Sequence, residues 1–262
     1  MNELSRSFDE YFEVIPADTP ELLKEAYRIR YQSYCLEEHV PDFEAEKYPD
    51  GLETDQYDKR SVHSLLRHKH MNSYVGTVRL VLHDPEDPRA QFPVEEFARE
   101  YFDNQLVNPD ELPRINTAEI SRLCVLSNYR IRKGELNSKE NNVEKFITRS
   151  NDRRTFPHPL LGLMVAIMRM SVKHNITHWY AGMEPELNKR LNMFGLHLIP
   201  IGPLLEYHGK RNPYLGHVGE VMNNAYINNR NVWELLTVNG TIWPAPTPEY
   251  LDSVNVNKGK SR

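Results

Sequence analysis

Ile115-Asn-Thr-Ala-Glu119-Ile-Ser-Arg122-Leu-Cys-Val125 reads as the strand on which the fold turns. It is rich in β-branched and apolar residues, with Pro113 before it and Ser127-Asn128 after it, the pattern of a strand held between breakers. Yet Glu119 and Arg122 stand in its middle, and a buried strand excludes ionised groups unless they are paired or used. Strict alternation sets Glu119 with Ser121, Leu123 and Val125 on one face, and Arg122 with Ile120 and Cys124 on the other. A bulge near Ile120–Ser121 would bring both charges to the same side, and bulges re-aim side chains beside active sites. A structural ion pair at a strand end is the plainer alternative.

Before this strand, Phe12-Glu-Val-Ile-Pro16 reads as a short first strand, and Thr19-Pro-Glu-Leu opens a helix with a capping residue and a proline in its first turn. That helix carries Leu22, Leu23, Ala26, Tyr27, Arg30 and Tyr34 at helical spacing. Glu37–Asp58, with Pro41, Pro49 and Gly51, reads as an ordered loop. Ser61–His68 and Ser73–His83 read as a hairpin across Lys69–Asn72, and Val94–Phe102 as a short helix.

After it, Asn128–His158 is polar and long enough to be an insertion. Pro159–His174 is apolar over most of its surface, as a helix sandwiched in the core is. Ile176–Met183 reads as a strand, Glu184–Phe194 as a helix and Leu196–Ile201 as a strand. Leu204–His208 and His217–Val221 suggest a last strand pair, Asn228–Leu236 a short helix, and the end of the chain a loose tail. Hairpins at both ends and a strand–helix alternation in the second half predict a mixed α/β sheet with helices on both faces. No linker-like boundary divides the chain.

The 262 residues are 39% hydrophobic and 26% charged, ordinary for a globular protein with a real core. No run approaches the roughly 18–20 apolar residues that span a bilayer, and the polar N-terminus lacks a signal-peptide core. Cys35 and Cys124 show no redox or metal spacing, so a reducing compartment, the cytoplasm, is expected. The net charge of −5 hides an asymmetry: Glu37–Asp58 holds nine acids and one lysine, while Arg130–Arg154 holds eight basic residues and four acids. The basic block opposes the sign of the whole and is a candidate dock for an anionic partner, or else a solvated loop.

Four clusters could carry chemistry: Arg28-Ile-Arg30-Tyr-Gln-Ser-Tyr34, Glu53-Thr-Asp55-Gln-Tyr-Asp58, Gly76-Thr-Val-Arg79-Leu-Val-Leu82, and Glu119-Ile-Ser-Arg122. Single buried charges are usually structural pairs. Three within apolar elements, with two acids on an adjoining loop, suit a pocket in which carboxylates grip an amine and arginines hold carboxylates or balance the acids. A carboxylate in a dry site can also act as a general base. His63, His68, His70, His174 and His178 lack zinc spacing with an accompanying acid or thiol. G-x-S-x-G, P-loop and G-x-G-x-x-G motifs are absent, and Cys124 reads as a small core residue before it reads as a nucleophile.

Through these clusters the chain resembles the acyltransferases associated with PEP-CTERM/exosortase systems, themselves similar to acyl-homoserine-lactone synthases and N-acyl amino acid synthases of the GNAT superfamily. The likeness runs from Phe12 to Val221 and includes Arg30-Tyr-Gln-Ser-Tyr-Cys, Asp50-Gly-Leu-Glu-Thr-Asp-Gln-Tyr-Asp58, Val75-Gly-Thr-Val-Arg-Leu-Val-Leu, Ala118-Glu-Ile-Ser-Arg-Leu, Ile176-Thr-His-Trp-Tyr-Ala and Ile199-Pro-Ile-Gly-Pro. It implies a single GNAT-like domain over 1–250, with a mostly antiparallel central sheet, splayed central strands, a basic insertion at about 128–158 and a loose tail at 251–262.

The resemblance also implies roles. Arg30, Tyr34, Asp55, Asp58 and Arg79 would build the acceptor pocket, with Glu119 and Arg122 as the catalytic pair and Glu119 as base or ammonium anchor. Leu123, Cys124 and Val125 would hold the pantetheine arm of a thioester entering between the splayed strands. A glycine-rich phosphate loop is not evident, and in its place stands the basic segment with Arg130, Arg132, Lys133, Arg149, Arg153 and Arg154. That substitution favours an acyl carrier protein as donor, with coenzyme A as the other choice. Met164, Trp179, Met183 and Phe194 would line an acyl tunnel, or belong to the plain core.

The tryptophan that homoserine-lactone synthases carry after the first helix is missing from Glu37-Glu-His-Val40, which points to a different amine. The expectation is N-acylation of a small amine, an amino acid first, without metal, tightly bound cofactor, nucleic-acid partner or transmembrane segment. S-adenosylmethionine-dependent lactone synthesis and a non-catalytic lipid- or carrier-binding module remain open.

Overall fold

The computed structural model describes residues 1–129 and 158–260. Asn2 caps α1 (Glu3–Tyr11) by accepting from the Ser5 amide. β1 (Phe12–Pro16) follows, and the Thr19 hydroxyl caps α2 (Pro20–Tyr31), 3.3 Å from the Leu22 amide. α2 passes into one widened π-turn, Gln32–Glu37, which carries Tyr34 and Cys35 to buried positions. β2 (Ser61–His68) and β3 (Ser73–Val81) form the expected hairpin. Next come α3 (Pro93–Ala98), β4 (Thr117–Val125), α4 (Pro159–Lys173), β5 (His178–Met183) and α5 (Pro185–Met193). β6 (Ile199–Pro200), β7 (Leu205–Glu206) and β8 (Lys210–His217) lead to α6 (Val218–Asn228), α7 (Arg230–Thr237) and α8 (Pro248–Lys260).

The sheet order is β1-β2-β3-β4-β5-β8-β6, with β7 paired to β8. Every pairing is antiparallel except β4 with β5, so this is the mixed, mostly antiparallel α/β sheet that was expected. The parallel ladder runs only from Thr117↔His178 to Ile120↔Ala181. Beyond it β4 follows β3 to Val125, while β5 follows β8 to Met183. The two central strands fork at Ile120 and Ala181.

Packing explains which faces are covered. α4 lies against one face, burying Leu163, Met164, Ile167 and Met168 on Leu66, Val78, Ala118 and Trp179. Its apolar residues are spread around the helix because α7 packs on it from outside. At about 25 cal/mol per Å² of apolar surface, each such side chain contributes roughly 1.5–3 kcal/mol. α2 covers the other face through Ala26 and Ile29, and α3 continues it with Val94 and Ala98.

Some expectations fail. His217–Val221 is not a strand: the His217 imidazole caps α6, accepting from the Glu220 amide, and the strand lies upstream in Lys210–His217. Leu196–Ile201 shrinks to Ile199–Pro200. The expected loose end is helical over Pro248–Lys260, with the Tyr250 hydroxyl 2.7 Å from Glu220. Nearly all of the basic stretch at 128–158 lies outside the described residues. No helix among the described residues is long and apolar enough to cross a membrane.

Candidate active site

The bulge in β4 exists, at Arg122–Leu123, two positions later than expected. Arg79 pairs with Ser121 but Thr77 pairs with Cys124, so Arg122 and Leu123 together face Val78. Arg122 takes a left-handed φ of 50°, a conformation that costs an L-residue roughly 1–2 kcal/mol. The extra residue turns Arg122 onto the face that carries Glu119 and Ser121, and returns Leu123 to the opposite core. Gly76 makes room for it: a Cβ there would sit 2.7 Å from the Cys124 carbonyl.

On this face the expected charges meet, though not as a Glu119–Arg122 pair. Arg30 binds Glu53 through Nε and Asp58 through Nη1 and Nη2, the latter two at 2.7 and 3.2 Å. Arg79 bridges Asp55 (2.6 and 2.9 Å) and Asp58 (2.7 Å), and reaches Ser121 Oγ at 3.0 Å. Arg122 binds Glu53 through Nε and Nη2, at 3.2 and 3.1 Å, and Asp55 through Nη2 at 2.8 Å. Three guanidinium groups thus balance three carboxylates. Burial alone would raise the carboxyl pKa values, but the arginines win and hold Glu53, Asp55 and Asp58 below the usual carboxylate range. Arg122 Nη1 has no acceptor among the described residues.

Glu119 stands outside this neutral network. It is buried, and its Oε2 accepts from the Val94 amide at 2.7 Å. Desolvation outweighs that bond and the attraction of Arg79 and Arg122, and pushes its pKa up to about 8. A carboxyl poised there can take a proton near neutrality.

Glu119 borders a cavity of about 270 Å³ that follows the fork between β4 and β5. Leu123, Cys124 and Val125 line its β4 side, and Gly182 and Met183 its β5 side. Leu160, Met164, Leu187 and Leu191 form an apolar floor. Tyr34, Arg122, Tyr207, His208 and Arg211 border the polar end. A second hollow of about 390 Å³, lined by Tyr48, Asp55, Tyr57 and Arg79, shares Phe43, Pro93, Arg122, Tyr207 and His208 with the first.

Not every expected residue reaches a wall. Arg30 and Asp58 lie beneath, holding the network together. Met164 and Met183 line the apolar end, but Trp179 is plain core, its Nε1 donating to Ser171 Oγ at 2.9 Å. Phe194 also stays off the wall, its ring 6.3 Å from that of His158. Arg130, Arg132, Lys133, Arg153 and Arg154 fall outside the described residues. No group of three or more metal-ligating side chains occurs among the described residues.

Sequence patterning assigned no role to Glu53, Phe43, Tyr207, His208 or Arg211. Glu53 lay in view within the acidic loop. Phe43, Tyr207 and His208 come from loops and Arg211 from β8, and their approach depends on the whole fold: His208 reaches Asp42 at 3.0 Å, and its ring lies 4.8 Å from that of Phe43.

Residues 29–138 match the model of the acetyltransferase (GNAT) domain. No curated protein sequence matches the chain. Among solved structures it is similar to the CoA-dependent acyl-homoserine lactone synthase BjaI with MTA, at 18% identity and a TM-score of 0.54 over 94% of this chain and 99% of that one. The AHL synthase LasI aligns at 20% identity and a TM-score of 0.50, over 78% of this chain and 87% of its own. FeeM, an N-acyl amino acid synthase from uncultured soil microbes, aligns at 10% identity and a TM-score of 0.51, over 84% and 97%. At such identities the likeness is one of fold. Residues 29–138 therefore resemble an acetyltransferase (GNAT) domain, and the chain has the fold shared by acyl-homoserine-lactone synthases and N-acyl amino acid synthases.

Proposed function

We propose that the protein is an N-acyltransferase that moves a fatty acyl group from a carrier-protein or coenzyme A thioester to the amine of a small acceptor, an amino acid first. The observation that carries this reading is Glu119: a buried carboxyl outside the neutral network, at the fork of β4 and β5, where a polar pocket meets an apolar slot. The acyl chain lies along Met164, Leu187 and Leu191. The thioester arm runs beside Leu123, Cys124 and Val125, with a backbone N–H of that run supporting the oxyanion.

The acceptor arrives as an ammonium ion and gives one proton to the Glu119 carboxylate. Its free amine then attacks the thioester carbon, the tetrahedral adduct collapses, and the C–S bond breaks as the amide forms. The second amine proton leaves for the departing thiolate. Arg122, fixed by Glu53 and Asp55, keeps the polar wall in place, and Arg79, Arg30 and Asp58 hold the network from behind.

The test is Glu119→Gln assayed with acyl carrier protein and coenzyme A thioesters against an amine panel, with products read by mass spectrometry. Turnover falls by 10²-fold or more while the circular dichroism spectrum is unchanged; full activity removes Glu119 from the mechanism. The same panel includes S-adenosylmethionine, because the BjaI fold also accommodates S-adenosylmethionine with isopentyl-CoA. An acyl-homoserine lactone as main product would replace the amino acid reading. Tight acyl-thioester binding with no turnover on any amine would replace both with a binding module.

A further inference from the structure

Arg211, on β8 opposite Leu205, borders the same cavity and is half-buried. Among the described residues it has no carboxylate partner. Its Nη1 lies 3.5 Å from the Gly182 carbonyl, at the outer limit of a hydrogen bond, and its buried Nε has no acceptor. The contrast with its neighbours is chemical: Arg30, Arg79 and Arg122 are each tied to carboxylates. Holding a guanidinium partly out of water with so little compensation is unfavourable unless an anion completes it.

The surroundings say which end of a substrate that anion belongs to. Arg211 and Arg122 act together on the same three groups, Tyr34, Tyr207 and His208. Arg190, by contrast, is exposed and acts on His158, the cap of α4 at the far end of the cavity. Arg211 therefore sits at the polar end, with Glu119, and away from the start of α4. Setting aside the neutral network and the exposed rim residues Glu38, Glu184 and Arg190, the cavity presents, among the described residues, one carboxyl, Glu119, and one uncompensated cation, Arg211. That pair is complementary to a zwitterion.

We infer that Arg211, assisted by the open Nη1 of Arg122, anchors the carboxylate of the acceptor and makes the site selective for amino acids over amines that lack an anionic group. This rests on the N-acyl transfer reading: the ammonium end goes to Glu119 and the carboxylate end to Arg211, leaving the side chain to the hollow beside Tyr48 and Tyr57. Arg211 is a specificity-determining residue here and takes no part in proton transfer.

The experiment compares the twenty L-amino acids with their primary amides, which keep amine and side chain but lose the negative charge. Wild-type, Arg211→Gln and Arg211→Lys proteins are each assayed for N-acylation and, independently, for amino acid binding by equilibrium dialysis. Wild type prefers the best amino acid over its amide by at least tenfold. Arg211→Gln raises the KM for that amino acid by tenfold or more, leaves the KM for the thioester within threefold, and collapses the preference for acid over amide; Arg211→Lys retains part of it. Equal use of acid and amide by wild type overturns the inference. So does a rise confined to the thioester KM, which would give Arg211 to a donor phosphate. If no variant acylates any amine, the N-acyl transfer reading fails, and dialysis still decides whether Arg211 holds a carboxylate: binding lost in Arg211→Gln supports it, and equal binding in all three proteins sinks it. A lowered melting temperature in Arg211→Gln is controlled by the Lys variant.

Discussion

Replacing Glu53 by Gln changes the size of the side chain little and removes one negative charge from a buried set of six. The carboxylate now accepts from Arg30 Nε and from Arg122 Nε and Nη2, and both arginines are largely buried around it. The amide would turn two donor hydrogens toward guanidinium donors and leave the network with an uncompensated positive charge. Breaking a buried pair by removing one partner costs about 3–5 kcal/mol. For a chain of this size each kcal/mol lowers Tm by roughly 2–4 °C, so a fall of about 6–20 °C is expected. Urea denaturation of Glu53→Gln, Arg122→Gln and the double variant tests the cause. The double variant restores the charge balance, so it should be less destabilised than the sum of the singles by at least about 1 kcal/mol. A Glu53→Gln protein within about 1 kcal/mol of wild type, or singles that simply add, would refute the claim that charge neutrality holds these six groups together.

Other outcomes follow from the same geometry. For the proposed reaction, kcat/KM should rise with pH and level off above an apparent pKa near 8, the value that burial gives Glu119, before titration of the acceptor amine is taken into account; a profile already flat from pH 6 upward would count against this base. The same shift has a stability sign: the folded state holds the Glu119 proton from about 4.5 to about 8 while the unfolded chain has lost it. Stability therefore falls as pH rises through that window, by up to ~5 kcal/mol, and Glu119→Gln should flatten the slope in denaturation curves taken at several pH values. Met164 is buried and lines the apolar end, where the proposed reaction puts the acyl chain. Met164→Phe should shift the preferred thioester toward shorter chains, each excluded methylene being worth about 0.8 kcal/mol, or roughly fourfold in kcat/KM; an unaltered chain-length profile would make Met164 ordinary core.

The parts of this fold that were legible in the chain are those whose cause is local. Thr19-Pro20 announces α2 because a hydroxyl cap and a preset φ act within one turn, and Phe12–Pro16 announces β1 for similarly short-range reasons. α1 hides because Glu3–Tyr11 is short and shows just Leu4, Phe8 and Tyr11 as an apolar side; its cap, Asn2, also bonds Glu234 at 2.9 Å across the fold. β8 hides because Lys210, Arg211, Asn212 and Pro213 look like a turn, and sheet membership comes from β5 beside it. The same division runs through the site. Charges inside apolar strands suggest a pocket, and for Glu119 to share a face with Arg122 three residues on, alternation must break.

Which charge answers which is not local information. Glu119 and Arg122 are near in sequence, yet a left-handed Arg122 sends that guanidinium to Glu53 and Asp55, 69 and 67 positions away. The consequence is functional. With Arg79 and Arg122 already engaged, Glu119 keeps a high proton affinity rather than that of an ion-paired acid, and among the described residues it is the only buried carboxyl on the cavity wall. A straight β4 would put Arg122 on the opposite, apolar face. It would also leave Glu53 facing Arg30 alone. The bulge thus does two things at once: it completes a neutral scaffold and spares one carboxyl from it, and in the proposed reaction that spared carboxyl makes the fork between β4 and β5 a place for proton transfer.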